Sequence, residues 1–248
     1  MCLAVFSLRS SAKYPLVFAA NRDELHERPS AAATWWEDAP GIFGGRDLVA
    51  GGTWLAVDRR GRLAAVTNYR EEIRAEYTRS RGDLVRDYLA ADVAAVDYLA
   101  SLKEFEFEYG PYNLVLFDGD TVHFGSNRSR GRSLEAGIHA VSNTRFDTPW
   151  PKVGYARSQL AASLEESDPE TPLFEFLTDD AYHGEDEETD IATRIRSTVF
   201  INDARYGTRA STVVLLTGNG ELSFKERRFG ASGEPLGETA ESFRISAP

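Results

Sequence analysis

Cys2-Leu3-Ala4-Val5-Phe6-Ser7-Leu8-Arg9, then Ser10-Ser11-Ala12-Lys13, then Pro15-Leu16-Val17-Phe18-Ala19-Ala20 running into Asn21-Arg22-Asp23-Glu24, opens the chain. Two apolar runs of β type around a short polar stretch are the pattern of a β-hairpin. An antiparallel return brings the Asn21 to Glu24 run, at the end of the second strand, back beside Cys2. Cys2 is the only cysteine. A free cysteine titrates near about 8.5, so its thiolate needs help at neutral pH. Removal of Met1 would supply that help as the cysteine's own α-amino group, whose reference pKa is about 7.7 to 8.0. Cysteine is also among the most buried residue types and packs as a small hydrophobe. A chain end, however, is rarely needed to complete a core and frays unless tied down. On position, Cys2 is a candidate amino-terminal nucleophile.

The 248 residues carry no linker-like stretch and no internal repeat, and read as one unit over 1–248. Hydrophobic residues make up 42% and charged residues 27%, enough apolar material for a sizeable core. A net charge of −11 argues against nucleic acid or an anionic membrane as partner, since both repel an acidic protein. Small molecules and basic partners remain, and oligomeric state leaves no mark. One cysteine excludes an intramolecular disulfide framework and a multi-cysteine metal site, and fits the reducing cytoplasm. The apolar stretch from Cys2 to Leu8 has no basic region before it and Arg9 after it, and no later stretch approaches the roughly 18 apolar residues of a span, so no stable membrane insertion is expected.

No phosphate-binding loop, G-x-G-x-x-G or G-x-S-x-G motif is present, so no cofactor is expected. His26, His123, His139 and His183 are scattered without metal-ligand spacing and read as structural or solvated. Glu185-Asp186-Glu187-Glu188 with Asp190 lacks the alternation and turn glycine of a calcium loop and reads as a solvated surface.

Further along, strands are expected at Thr53 to Asp58, Leu63 to Thr67, Tyr112 to Phe117, Thr121 to Phe124, Gly137 to Ser142, Thr198 to Ile201, Ser211 to Thr217 and Glu221 to Phe229. Gly44-Gly45 and Gly51-Gly52 read as tight turns around a short turn region. Helical spacing covers Arg81 to Leu102 and Val153 to Leu164, with short helices around Pro172 to Thr178 inside an acidic excursion from Glu165 to Asp190. Strands at both ends with helices between predict two packed antiparallel sheets covered by helices.

Three polar segments at strand ends look like site material: Thr67-Asn68-Tyr69-Arg70, Ser142-Asn143-Thr144, and Arg205 to Thr212. Singly each has an ordinary reading, because asparagine caps helices and turns and surface arginines pair with carboxylates for little energy. Together with Met1-Cys2, Asn21-Arg22-Asp23-Glu24, Gly51-Gly52-Thr53-Trp54, Thr148-Pro149-Trp150 and Tyr206-Gly207-Thr208-Arg209, in that order over nearly the whole chain, they resemble the NRDE family, that of transport and Golgi organisation protein 2. That family is similar in turn to cysteine-type N-terminal-nucleophile hydrolases.

The resemblance implies an α+β fold, the four-layer αββα sandwich of N-terminal-nucleophile hydrolases. It implies an amidohydrolase that cleaves a non-peptide amide through an acyl group on Cys2, with the α-amino group as base and then acid. Asp23 would hold that amino group, Arg22 would favour the thiolate, Asn143 would donate to the oxyanion, and Arg209 would be a second positive group. Asn21, Glu24, Asn68 and Arg70 would contact substrate. The cysteine hydrolases carry an arginine three residues before their site aspartate; here Arg22 and Asp23 are adjacent, so their roles stand open to exchange with Asn21 and Glu24. The alternative is a non-catalytic carrier or trafficking protein for haem, acyl-coenzyme A or lipid, linked to secretory organisation.

Overall fold

A computed structural model describes residues 2–71, 76–184 and 190–246. Strands β1 (Leu3–Leu8) and β2 (Leu16–Leu25) form the expected antiparallel hairpin, with Leu3 opposite Asn21 and Leu8 opposite Leu16. The Asn21 to Glu24 run lies inside β2 rather than beyond it. The chain then crosses to a second sheet: β3 (Ser30–Trp35), β4 (Ile42–Asp47), β5 (Leu55–Asp58) and β6 (Leu63–Asn68). Gly44 and Gly45 are ladder residues of β4, not turn residues. A Cβ on Gly45 would fall 2.4 Å from the Trp54 ring, so the glycine serves close approach.

The Arg81 to Leu102 region is two helices, α1 (Arg81–Ala90) and α2 (Ala95–Ser101), with a break between them. Ser80 caps α1 by accepting from Gly82 N, and Leu84, Val85, Tyr88 and Leu89 form its buried stripe. Strands β7 (Tyr112–Phe117), β8 (Val122–Ser126) and β9 (Arg132–Ser133) complete the second sheet, ordered β3 through β9 in sequence.

β10 (Gly137–Val141) returns to β1, and α3 (Pro151–Ser163), α4 (Glu170–Leu177) and α5 (Ile191–Ser197) follow. Residues 198–201 are not a strand. Their buried groups bond irregularly, Phe200 N to Asp179 O and Ile201 N to the Thr208 hydroxyl. The Glu185 to Glu188 cluster falls outside the described residues. Strands β11 (Tyr206–Leu216), β12 (Glu221–Phe229) and β13 (Pro235–Arg244) close the first sheet in the order β10-β1-β2-β11-β12-β13.

Three apolar cores define four layers. Phe6, Phe18, Val214 and Phe224 of the first sheet meet Phe43, Val57, Val115 and Phe117 of the second between the sheets. The opposite face of the first sheet, Leu3, Val5, Val17 and Val213, packs on Val153 and Leu160 of α3 and Phe174 of α4. The outer face of the second, Ala56, Ala64, Leu114 and Leu116, packs on α1 and α2. This is the αββα arrangement, and strand alternation delivers each apolar residue to its own layer. No helix among the described residues is long and apolar enough to cross a membrane.

Candidate active site

Cys2 precedes β1 at the end of the strand where β10 and β2 flank it. Its backbone nitrogen donates to Asn143 Oδ1 at 2.8 Å, and its carbonyl accepts from the Ser142 hydroxyl at 2.8 Å. Asn143 Nδ2 donates to the Asn68 carbonyl at 2.7 Å, while Arg70 N donates to the Asn143 carbonyl at 2.8 Å. The Thr67 hydroxyl and the Asn113 amide both donate to the Ser142 carbonyl. These bonds tie the end of β10 in the first sheet to the end of β6 in the second, and Cys2 sits at that junction. Two of the strand-end segments singled out by sequence therefore converge on the cysteine. Asn143 retains one amide hydrogen beyond the bond to Asn68.

Alternation along β2 divides the four-residue run. Arg22 is 6% exposed, stacks over Trp54 at 4.4 Å from the ring centroid, and lies 4.0 Å from Glu24 and 3.9 Å from Asp47. Burial pulls its pKa down, opposed by the charges of Glu24, Cys2 and Asp47. Asn21 serves the helical side, and Asp23 borders both the cavity and Lys152 of α3. Asn21 Nδ2 donates to the carbonyls of Leu177 and Val199, and its Oδ1 accepts from the Ser211 hydroxyl at 2.7 Å, so this amide is a fastener between sheet and helices rather than a ligand contact. Asp23 accepts from the Thr208 hydroxyl at 2.8 Å, and burial drives its carboxyl pKa upward against the pull of the nearby Lys152 ammonium.

Lys152 was not singled out by sequence. It sits in the first turn of α3, 0% exposed, its Nζ without a hydrogen-bond partner among the described residues. Burial lowers its pKa, while Asp23 and Cys2 oppose that shift. Burial thus pushes both groups toward their neutral forms, and the charge of each acts against that shift in the other. A signal existed: a cation in a helix first turn that contains no acid runs against the helix dipole. Arg81, the first residue of α1, is also a cation at a helix start, but there Asp83 shares the first turn and the signal is absent.

Arg209 lies elsewhere. The ladder between β2 and β11 slips between Thr208 and Ala210, and the extra residue is Arg209. Its Nη1 donates to the carbonyls of Leu25, His26 and Arg28, and its Nε to that of Phe229, so its donors clamp the loop after β2. It approaches Arg22 from the far side and does not line the cavity in front of Cys2.

That cavity, about 900 Å³, is lined by Cys2, Arg22, Glu24, Asn68, Arg70 and Asn143 among others, with Trp54, Tyr69, Tyr77 and Arg81. Cys2 is thus held by its main chain at a junction of two sheets, at the wall of a charged cavity in an αββα sandwich. The chain belongs to the Transport and Golgi organisation 2 family, whose model matches residues 1–231. It is 31% identical over 255 residues to the Transport and Golgi organization 2 homolog of Mus musculus and, over the same length, to the Transport and Golgi organization protein 2 homolog of Homo sapiens, covering 92% of each chain in both cases. The Drosophila melanogaster Transport and Golgi organization protein 2 is 25% identical, with 91% of each chain covered. Among solved structures, a Caenorhabditis elegans N-acylethanolamine-hydrolyzing acid amidase ortholog aligns at a TM-score of 0.48 and 12% identity, covering 86% of this chain and 92% of that one.

Proposed function

We propose that the protein is a cysteine amidohydrolase that acts on a small non-peptide amide after loss of Met1. The observation that carries this reading is the 2.8 Å bond from Cys2 N to Asn143 Oδ1 at the wall of the cavity. Once Met1 is gone that nitrogen is an amine, and the same bond orients it. The amine takes the proton from Cys2 Sγ as the sulfur attacks the amide carbon, then delivers it to the leaving amine as the C–N bond breaks. The remaining Asn143 Nδ2 hydrogen donates to the oxyanion. Asp23, held by Thr208 and faced by Lys152, supports the charge on the amine. Arg22 favours the attacking thiolate electrostatically. Water then hydrolyses the thioester and frees Cys2.

The test is turnover of an amide library by protein of verified amino terminus, with Cys2→Ser and Cys2→Ala as controls. The expected result is release of amine by the parent and its loss in both variants. Turnover by Cys2→Ala equal to the parent's would refute the assignment. The cavity's volume and its aromatic lining by Trp54, Tyr69 and Tyr77 favour a second reading, a carrier for an amphipathic ligand such as haem, acyl-coenzyme A or lipid. In that case saturable binding persists in Cys2→Ala and no amide is cleaved.

A further inference from the structure

The charges of the cavity are not balanced where it meets Cys2. Arg28 pairs with Asp47 at 2.7 Å, whereas Arg22 shares Glu24 and Asp47 only at 4.0 and 3.9 Å. Arg22 is 6% exposed and its Nη1 is buried without a hydrogen-bond partner among the described residues. A buried guanidinium nitrogen left unbonded is costly, and an acceptor brought by a ligand would satisfy it. Stacking on Trp54 occupies the flat face of Arg22 and leaves the in-plane N–H donors for an oxygen pair.

Arg81 strengthens the imbalance. Its Nη1 donates to the Pro111 carbonyl at 3.2 Å, and no carboxylate among the described residues lies within 4 Å of it. Burial lowers its pKa, opposed first by the charge of Cys2 and then by that of Glu24. Beside Cys2, Asp47 is engaged by Arg28 and Glu24 lies 4.0 Å from Arg22, so Arg81 has no carboxylate of its own on this part of the wall. A single ligand carboxylate matches its charge, and the planar oxygen pair suits a guanidinium fork better than a dianion would.

We propose that the cavity wall beside Cys2 is a monoanion subsite, built by Arg22 and Arg81, that selects substrates carrying a carboxylate near the scissile amide. The assignment of the carboxylate to a substrate rests on the amidohydrolase reading; the subsite itself is tested without turnover.

Iodoacetate and iodoacetamide alkylate the same thiolate, each forming an S–C bond with loss of iodide, and differ in charge. The ratio of their rates at Cys2 in the folded protein, divided by the ratio in the denatured chain at the same low ionic strength, isolates the subsite. A gain of about tenfold is expected, the effect of one partly desolvated charge contact. Arg81→Gln should bring the ratio most of the way to the denatured value, and Arg81→Lys, which keeps the charge, should retain a gain. A folded ratio equal to the denatured one overturns the proposal, as does a ratio unmoved in Arg81→Gln. If Cys2 labels with neither reagent, the nucleophile reading fails on its own and thermal stabilisation judges the subsite. Butyrate stabilising the parent more than butyramide or inorganic phosphate, and not doing so in Arg81→Gln, supports it. An equal response to butyramide, or a larger one to phosphate, overturns it.

Discussion

Replacing Glu226 by glutamine should make the protein more stable at pH 8 and change it far less at pH 5. Glu226 lies on β12 and is 0% exposed; its Oε1 accepts from Ala33 N at 3.0 Å, and its Oε2 has no hydrogen-bond partner among the described residues. Burial pushes its carboxyl up to about 7, against the pull of that N–H and of Arg228 and Arg22. The folded protein therefore binds a proton more tightly there than the unfolded chain, whose carboxyl titrates at the ordinary value of 4.5. The stability contributed by the protonated form is fully present below about pH 4.5 and is lost as pH rises through about 7. Each pH unit in that window costs about 1.4 kcal/mol, so roughly 3 kcal/mol disappears in all. Glutamine keeps the acceptor for Ala33 N and cannot ionise. Urea denaturation of parent and Glu226→Gln at half-unit steps from pH 5 to 8 measures the difference. The two should differ by less than about 1 kcal/mol near pH 5 and by roughly 3 kcal/mol in favour of the variant at pH 8. A difference that stays constant across that range would show that Glu226 does not titrate in it.

Lys152→Met should cost about 1–3 kcal/mol near neutral pH by removing one of the positive charges that offset the buried Asp23 carboxyl. Burial raises the Asp23 pKa, so the loss should shrink as the pH is lowered, read by denaturation across a pH series. Asn21→Ala removes the partner of two carbonyls and of the Ser211 hydroxyl. A destabilisation of roughly 2–4 kcal/mol is expected, with Cys2 labelling following the folded fraction alone. Gly52→Ala would drive a Cβ to 2.4 Å from the Gly82 carbonyl carbon, a backbone contact that cannot swing aside. We expect a loss of about 1–3 kcal/mol in thermal or urea melts and a weakened preference for iodoacetate, since Gly82 adjoins Arg81 at the start of α1.

The legible features were those whose causes are local. The first hairpin and the strands at Tyr112 to Phe117, Thr121 to Phe124 and Glu221 to Phe229 follow from alternation and turn chemistry within a dozen residues. Cys2 and Asn143 were found as types at strand ends, although the bond between them spans 141 residues. β3 and β4 escaped notice because alanines are weak strand formers and paired glycines mimic a turn. β13 escaped because it is an edge strand, polar and mostly exposed. The apolar run at 198–201 misled because its hydrogen bonds go to Asp179 and Thr208, a tertiary solution that no local pattern announces. Arg209 looked like a site arginine until the bulge in β11 turned it to four backbone carbonyls.

The two-sided division of labour along β2 makes the spacing of Asn21-Arg22-Asp23-Glu24 less forgiving than its chemistry. Asn21 holds the helical layer and Asp23 is fixed by the Thr208 hydroxyl of β11, while Arg22 and Glu24 equip the cavity. Inserting or deleting a single residue ahead of Asn21 within the strand would exchange the two sets, burying the arginine under the helices and sending the fastening amide into the cavity. Loss of any one side chain degrades one job; a change of frame abolishes both at once. Extra residues at the tip of the first hairpin, between Ser10 and Tyr14, never enter the ladder, so among diverging relatives length should drift at that tip while the count from Leu16 to Glu24 stays fixed.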